Sequence, residues 1–287
     1  MRKICALFLC IAALSGLCAC GGGDAVRDDP PLPPVISNEP DAMAQEITVM
    51  SFNVWTRGIA KRKNGVAQTI LGEMPDSVGL QEARGQWRLF LRRELKGSYA
   101  MACGTGRVAG MGEGVPILYR SDKYDLVDEG VFWLSERPNF PIKGWDAKYF
   151  RIVGWAVLKD KTTGFIYVHF NAHFDNKGSI ARANSARLVA DRINEMGLPA
   201  VFTGDVNCVP GDLPARYLEL GGLTDLRMAA ADTDTGGTLP GSDTILDYIY
   251  ANYFLRGAKE FKVIRDQYDG MYPSDHFAIC ATLTLAN

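Results

Sequence analysis

The stretch Pro199-Ala-Val-Phe-Thr-Gly-Asp-Val-Asn207 is an apolar strand that stops at a glycine and then presents a carboxylate and an amide two positions apart. Side chains alternate along a strand, so Asp205 and Asn207 are predicted to point the same way from its mouth. That pairing suits chemistry on phosphate, because one group can hold a metal or orient water while the other donates to a phosphoryl oxygen. The run from Gly204 to Asn207 equally describes an Asx-turn that closes a strand. The surrounding chain has to decide between these readings.

The chain has 287 residues, 47% of them apolar, and a formal net charge of -2, so it can bury a proper core. No strongly basic balance advertises tight, nonspecific gripping of a nucleic-acid backbone, although a local basic cleft or a bound cation could serve a short polyanion. The N-terminus has a separate purpose. Arg2 and Lys3 carry charge, Ile4 to Leu17 is apolar, and Leu17-Cys18-Ala19-Cys20 reads as a processing site. Residues 1–19 are therefore expected to be a signal peptide, too short for a comfortable membrane span. Leucine, then a small residue, then cysteine resembles the bacterial lipoprotein box, which would put a lipid on Cys20. Gly21-Gly22-Gly23-Asp24 and Pro30-Pro31-Leu32-Pro33-Pro34 make residues 20–46 a flexible tether. The expectation is a protein exported to the bacterial cell envelope, facing the periplasm or the outer surface, and touching the membrane only through its lipid. Of seven cysteines, Cys103, Cys208 and Cys280 stay in the folded part, odd in number and far apart. They offer no disulfide framework, and no pair has zinc-ligand spacing.

The folded domain is predicted over residues 47–286. Ile47 to Val54 reads as a strand with Ser51 and Asn53 on one face and Met50, Phe52 and Val54 on the other. A helix follows from Lys61 to Met74, ended by Pro75, and Ser77 to Glu82 returns as a short buried strand. A helix from about Gln86 to Leu95 turns Trp87, Phe90 and Leu91 inward. The pattern then becomes mostly strand: Val115–Arg120, Tyr124–Leu134, and the pair Phe150–Lys159 and Phe165–Phe174 around the turn Asp160-Lys-Thr-Thr-Gly164. Tyr167, His169, Asn171 and His173 share one face. Ser179 is a candidate N-cap for a helix running to Met196, with Gly197 ending it. A shorter helix starts after Asp212, and strands are expected over Ile245–Ala251, Lys259–Ile264 and Phe277–Leu285. Many strands, few helices and a central hairpin predict an α/β fold of two stacked mixed sheets flanked by helices.

Polar residues collect at the predicted strand ends, in Ser51-Phe52-Asn53-Val54, Leu80-Gln81-Glu82, Asn171-Ala172-His173-Phe174, Gly204-Asp205-Val206-Asn207, Leu246-Asp247-Tyr248-Ile249 and Ser274-Asp275-His276. In this order the motifs resemble the endonuclease/exonuclease/phosphatase superfamily, metal-dependent phosphoesterases that include pancreatic deoxyribonuclease, abasic-site endonucleases, deadenylases, inositol-phosphate phosphatases and bacterial sphingomyelinases. The resemblance implies a four-layered α/β sandwich and a site holding Mg²⁺, with Mn²⁺ as the other candidate. It makes Glu82 the principal metal ligand, with Asn53 close by and Asp275 backing the metal or the water. Asp205 would orient or deprotonate the attacking water, Asn207 would hold the phosphate, and Asp247 would support a charged His276. Which of Asp205 and His276 is the general base stays open. His173 would serve the scissile phosphate or the leaving group with Glu113 as its partner, and a flexible surface loop explains Glu113 about as well. His169 is expected to be a satisfied histidine between the sheets.

Substrate is less determined than reaction. Arg84 resembles an arginine that the deoxyribonuclease branch uses on nucleic acid, against a default of an exposed arginine at a helix start. Arg151 could reach phosphate or be a strand-edge charge. Trp133, Trp145, Tyr149 and Phe150 bracket Lys143 and Lys148 in a loop that could stack a base or sugar or simply pack under itself. The expected function is that of an exported Mg²⁺-dependent phosphodiesterase, most simply a nuclease, whose partner is nucleic acid or a small phosphorylated molecule. A sugar- or inositol-phosphate phosphatase stands close behind, and a surface binding protein without turnover is the reading from another class. No protein partner is expected.

Overall fold

The computed structural model describes residues 44–104 and 113–286. The predicted signal peptide, Cys20 and most of the tether lie outside the described residues. In chain order the elements are β1 (Gln45–Asn53), α1 (Ile59–Glu73), β2 (Ser77–Gln81), α2 (Gly85–Glu94), β3 (Tyr99–Ala102), β4 (Ile117–Arg120) and β5 (Tyr124–Trp133). Then come β6 (Ile152–Asp160), β7 (Ile166–His173), α3 (Ser179–Met196), β8 (Ala200–Asp205), α4 (Leu213–Leu220) and β9 (Thr224–Asp225). The last are α5 (Leu226–Ala229), β10 (Ala230–Thr233), β11 (Asp247–Ala251), β12 (Leu255–Ile264) and β13 (Ala278–Leu285).

One sheet has the order β10-β12-β13-β1-β2-β4-β3 and the other β5-β6-β7-β8-β11-β9. Both are mixed. β1 runs parallel to β2 and antiparallel to β13, while β8 runs parallel to β7 and antiparallel to β11. Alternation along each strand sorts its side chains into layers. Met50, Phe52, Val78 and Leu80 meet Val66, Ile70, Trp87 and Leu91 of α1 and α2. Val168, Phe170 and Phe202 meet Ala186, Val189, Ile193 and Leu218 of α3 and α4. Ile47, Val49, Tyr167, Val201, Ile249 and Ile279 face one another between the sheets. The result is the two stacked mixed sheets flanked by helices expected from the element pattern, in the four layers that the resemblance implies.

The layer between the sheets turns polar under one end. His169 bonds Ser77 Oγ through Nδ1 at 2.8 Å and Thr203 Oγ1 through Nε2 at 2.8 Å, with no exposure to solvent. Gln81 Nε2 donates to Asn171 Oδ1 at 2.7 Å, and Asn171 Nδ2 donates to the Leu80 carbonyl at 2.9 Å. The sheets approach closely here because position 79 is glycine. A Cβ on Gly79 would lie 2.0 Å from Thr203 Oγ1 and 2.6 Å from Asn171 Oδ1.

Several local expectations need correction. Ser179 is the first residue of α3 rather than its cap. Gly178 holds the N-cap position, and the Asp146 carboxylate, reaching in from a distant loop, accepts from Ile180 N at 3.2 Å and Ala181 N at 2.6 Å. β4 starts only at Ile117, because Pro116 has no N–H to give and instead accepts from Leu80 N. β11 starts at Asp247, so Ile245 and Leu246 precede the strand, and β12 begins four residues earlier than its apolar core suggests. The turn after β6 forms as predicted, with Asp160 Oδ1 accepting from Thr162 N and Thr163 N and Gly164 at φ 75°.

Candidate active site

The topology carries the chemistry-bearing residues to one end of the sandwich. Asn53 ends β1 beside Gln81, with which it is in register, and Glu82 follows directly. His173 ends β7 in register with Asp205 at the end of β8, and Asp247 opens β11 opposite the same Asp205. Asp275 and His276 lead into β13, whose start lies beside the end of β1.

Asp205 is the centre of the group, at 2% exposure. Its Oδ2 accepts from Asn53 Nδ2 at 3.0 Å and lies 3.3 Å from His173 Nε2 and 3.9 Å from His276 Nε2. Each imidazole is braced from behind by a second carboxylate. His173 Nδ1 is 2.6 Å from Glu113 Oε1, and His276 Nδ1 is 2.8 Å from Asp247 Oδ2. Burial opposes the Asp205 charge, yet the two imidazoles and the Asn53 and Asn207 hydrogen bonds hold its carboxyl below the usual carboxylate range. Burial likewise works against a charged His276, but the Asp247 charge and hydrogen bond, followed by Asp205 and Asp275, push it up to about 10. Burial raises Asp247. The His276–Asp247 pair therefore keeps a shared proton at neutral pH, which makes it a donor toward the space above Asp205.

Asn207 is placed differently from the alternation expected for it. The strand ends at Asp205, and Asn207 adopts φ 51°, so its Nδ2 turns back to the Phe174 carbonyl at 3.1 Å while its backbone N–H donates to Asp205 Oδ1 at 3.0 Å. This is the Asx-turn of the motif's second reading, set inside the site, with the Asn207 amide engaged by the Phe174 carbonyl.

Glu82 sits on the rim, half-buried, with φ 59°, a conformation that costs a non-glycine residue on the order of 1 kcal/mol or more. Its surroundings hold it there: Thr56 N donates to Oε2 at 2.7 Å, Thr56 Oγ1 to the Glu82 carbonyl at 3.2 Å, and Glu82 N to Glu113 Oε1 at 3.3 Å. Burial raises the Asp275 carboxyl, His276 lowers it, and the negative charge of Glu82 raises it further. These two carboxylates, in one another's field near the end of β1, are oxygen donors of the kind a hard divalent cation takes, while Asn53 Oδ1 accepts from Trp55 N at 3.1 Å. Asp205, Asp247 and His276 also bring one ligand atom each within 4.8 Å of one another. In that set His276 Nδ1 already lies 2.8 Å from Asp247 Oδ2, which leaves His276 Nε2 and Asp247 Oδ1 as the remaining candidate ligand atoms.

Arg151 precedes β6 and is 5% exposed, so it is not a strand-edge charge. Its Nη1 lies 3.5 Å from Glu113 Oε1 and its Nε 3.9 Å from Asp175 Oδ2. Burial lowers its pKa, and Asp205, Asp175 and Glu82 oppose that, which places its charge in the field of the site. Arg84 is exposed at the N-cap of α2, next to Glu82, with no side-chain hydrogen bond among the described residues. Trp133 at the end of β5 packs edge to face with Phe150 of the following loop at 6.1 Å, whereas Tyr149 is 39% exposed and near the cations of Lys148 and Arg151.

Sequence reasoning passed over Asp175 and Thr56. Asp175 is 1% exposed and accepts from Tyr149 N, Lys177 N and Gly178 N, which ties the loop carrying Arg151 to the end of β7. Its only signal is its position two residues after His173. Thr56 has none, since its contact with Glu82 crosses between two chain segments.

Among solved structures, the chain is similar to an endonuclease/exonuclease/phosphatase family protein from Bacteroides thetaiotaomicron, with 32% identity, a TM-score of 0.80, and coverage of 85% of this chain and 97% of that one. It is also similar to a mannosyl-6-phosphatase of Bacteroides thetaiotaomicron VPI-5482, with 32% identity, a TM-score of 0.76, and coverage of 83% and 99%. The D. rerio TDP2 complexed with single-strand DNA product shares the fold at 20% identity and a TM-score of 0.66, covering 83% and 98%. No curated protein matches. The model of the Endonuclease/Exonuclease/phosphatase family matches residues 50–276, the span that carries every strand-end residue described above, and the chain belongs to that family.

Proposed function

We propose that the protein hydrolyses a phosphorylated sugar, a phosphomonoester, by in-line attack of water with a divalent cation, Mg²⁺ or Mn²⁺, at the site. The observation that carries the reaction is the convergence of two carboxylate-braced imidazoles on a single buried aspartate. Glu82 and Asp275, with the Asn53 amide oxygen, would hold the cation, which when bound supplies positive charge to the phosphoryl oxygen and the departing alkoxide. Asp205, kept ionised, orients the attacking water and accepts its proton. His276 keeps its proton through Asp247 and donates to a phosphoryl oxygen. His173, fixed by Glu113, faces the leaving oxygen, and Arg151 offsets the charge that develops on the phosphate.

The choice of a sugar monoester rests on the 32% identity to a mannosyl-6-phosphatase and on the near-neutral charge of -2. The phosphodiester first expected from the motifs remains the second reading. It is favoured by Arg84, which stands exposed beside Glu82 where a second ester group could meet it. Steady-state hydrolysis of mannose 6-phosphate, an aryl phosphomonoester and an aryl phosphodiester, each with Mg²⁺, Mn²⁺ or EDTA, separates the two. The expected result is monoester turnover abolished by EDTA. Preference for the diester would support the second reading, and silence on all three would leave a binding protein. We also propose export and lipid attachment at Cys20, supported by the Leu17-Cys18-Ala19-Cys20 run. Labelled fatty acid incorporated by the wild type and lost in Cys20→Ala is the expected outcome.

A further inference from the structure

Asp175 lies two residues beyond His173, 1% exposed, with both carboxylate oxygens engaged. We infer that it is a positioning residue, which holds the Arg151 guanidinium where that group meets the phosphate, an inference that rests on the phosphoester-hydrolase reading above. Its backbone sits on the same frame as the reactive centre. His173 is in register with Asp205, Phe174 N donates to the Asp205 carbonyl at 2.9 Å, and Asn207 Nδ2 donates to the Phe174 carbonyl at 3.1 Å. The two oxygens of Asp175 then divide the work. Oδ1 accepts from Lys177 N at 2.9 Å and Gly178 N at 2.8 Å, which closes an Asx-turn ahead of α3. Oδ2 crosses to the other segment, where it accepts from Tyr149 N at 2.9 Å and lies 3.9 Å from Arg151 Nε. Burial opposes the Asp175 charge, but the N–H groups of Gly178, Tyr149 and Lys177 outweigh it and keep the carboxyl below the usual range.

Arg151 has few other anchors. Leu134 N donates to its carbonyl at 2.9 Å, which sets the backbone. Among the described residues its side chain gives one long hydrogen bond, from Nη1 to Glu113 Oε1 at 3.5 Å, and Nε has no hydrogen-bond partner. The guanidinium also lies 5.6 Å from the Tyr149 ring centroid. Burial works against its charge, and the field of Asp205, then Asp175 and Glu82, opposes that. Glu113 is already committed, to His173 Nδ1 at 2.6 Å and to Glu82 N at 3.3 Å. Without the Asp175 charge, the buried cation would be drawn to Glu113 alone, in competition with the imidazole that Glu113 braces.

Asp175→Asn keeps one oxygen for the Asx-turn and sets an amide, in place of a carboxylate oxygen, against Tyr149 N and Arg151. Asp175→Ser, which also keeps an oxygen for the turn, stands in if Asp175→Asn does not fold. The test is a double-variant cycle with Arg151→Met, on whichever of an aryl phosphomonoester and an aryl phosphodiester the wild type turns over with Mg²⁺, beside a melting curve for each variant. We expect kcat/KM to fall about tenfold on Asp175→Asn when Arg151 is present, and by less than about twofold in the Arg151→Met background. A merely loosened loop would lower both backgrounds alike, so equal falls overturn the inference, as does an unchanged kcat/KM in the single variant. If the wild type turns over neither ester, the parent reading fails, and the same cycle is run on the affinity for inorganic phosphate by calorimetry. That readout also serves if Arg151→Met is inactive. A loss of phosphate affinity that requires Arg151 supports the positioning role. A loss independent of Arg151, or a wild type that binds no phosphate, overturns it.

Discussion

Asp205 receives an amide and two imidazoles on the same carboxylate, so its neighbours matter as much as the residue itself. Asp247 braces His276 at 2.8 Å, and Asp247→Asn removes the charge that holds the imidazole proton. We expect kcat/KM to fall on the order of 100-fold with thermal stability little changed, measured by steady-state kinetics beside a melting curve. A change of less than about threefold would remove His276 from the role of donor. His169 behaves oppositely. Burial lowers its pKa from 6.5 to about 3, so it stays neutral in the fold and protonates in the unfolded chain. Its contribution is present above pH 6.5 and is lost as pH falls toward 3, by about 1.4 kcal/mol per pH unit. The stability difference between wild type and His169→Gln, from urea unfolding, should therefore shrink or reverse steadily over that window, and a difference independent of pH would contradict it. At Gly79 the close approach of Thr203 and Asn171 leaves no room for a methyl group, so Gly79→Ala should cost about 1–3 kcal/mol in the same unfolding measurement.

At the scale of elements, alternation made most of the sandwich legible. Ser51 and Asn53 do face away from Met50, Phe52 and Val54, and Tyr167, His169, Asn171 and His173 do share the inner face, because a period of two cannot slip without exposing the apolar set. The short edge strands β3, β9 and β10 had no such pattern to betray them, being too short to alternate. The cap of α3 was illegible for another reason. Capping residues are sought next to the helix, and Asp146 reaches it from 33 residues before Ser179, with Gly178 lying against its carboxylate. Asp146→Ala should cost about 1 kcal/mol in urea unfolding, and no loss would mean that water caps the helix equally well. In the site, the motif residues at strand ends were readable, whereas Asn207 departed from its expected direction because the strand stopped at Asp205. Thr56 and Asp175 act through contacts between separate segments, which no local pattern encodes.

For the whole molecule, two sheets bring their strand ends to one edge, so residues from eight separate strands and loops meet over a polar layer rather than an apolar one. That layer lets the buried charges be partnered: Asp205, His173, His276, Glu113 and Arg151 all have an opposite group within 4.0 Å or a hydrogen bond. Glu82 and Asp275 lie in one another's field as like charges, although Glu82 Oε2 accepts from Thr56 N at 2.7 Å. We propose that a divalent cation offsets that repulsion. The most direct test is the Mg²⁺ dependence of mannose 6-phosphate and aryl phosphate turnover in wild type and Glu82→Gln. The account predicts no turnover by wild type in EDTA and an apparent Mg²⁺ affinity weakened on the order of 10–100-fold in the variant. Full turnover in EDTA, or a variant with the same Mg²⁺ dependence as wild type, would contradict it.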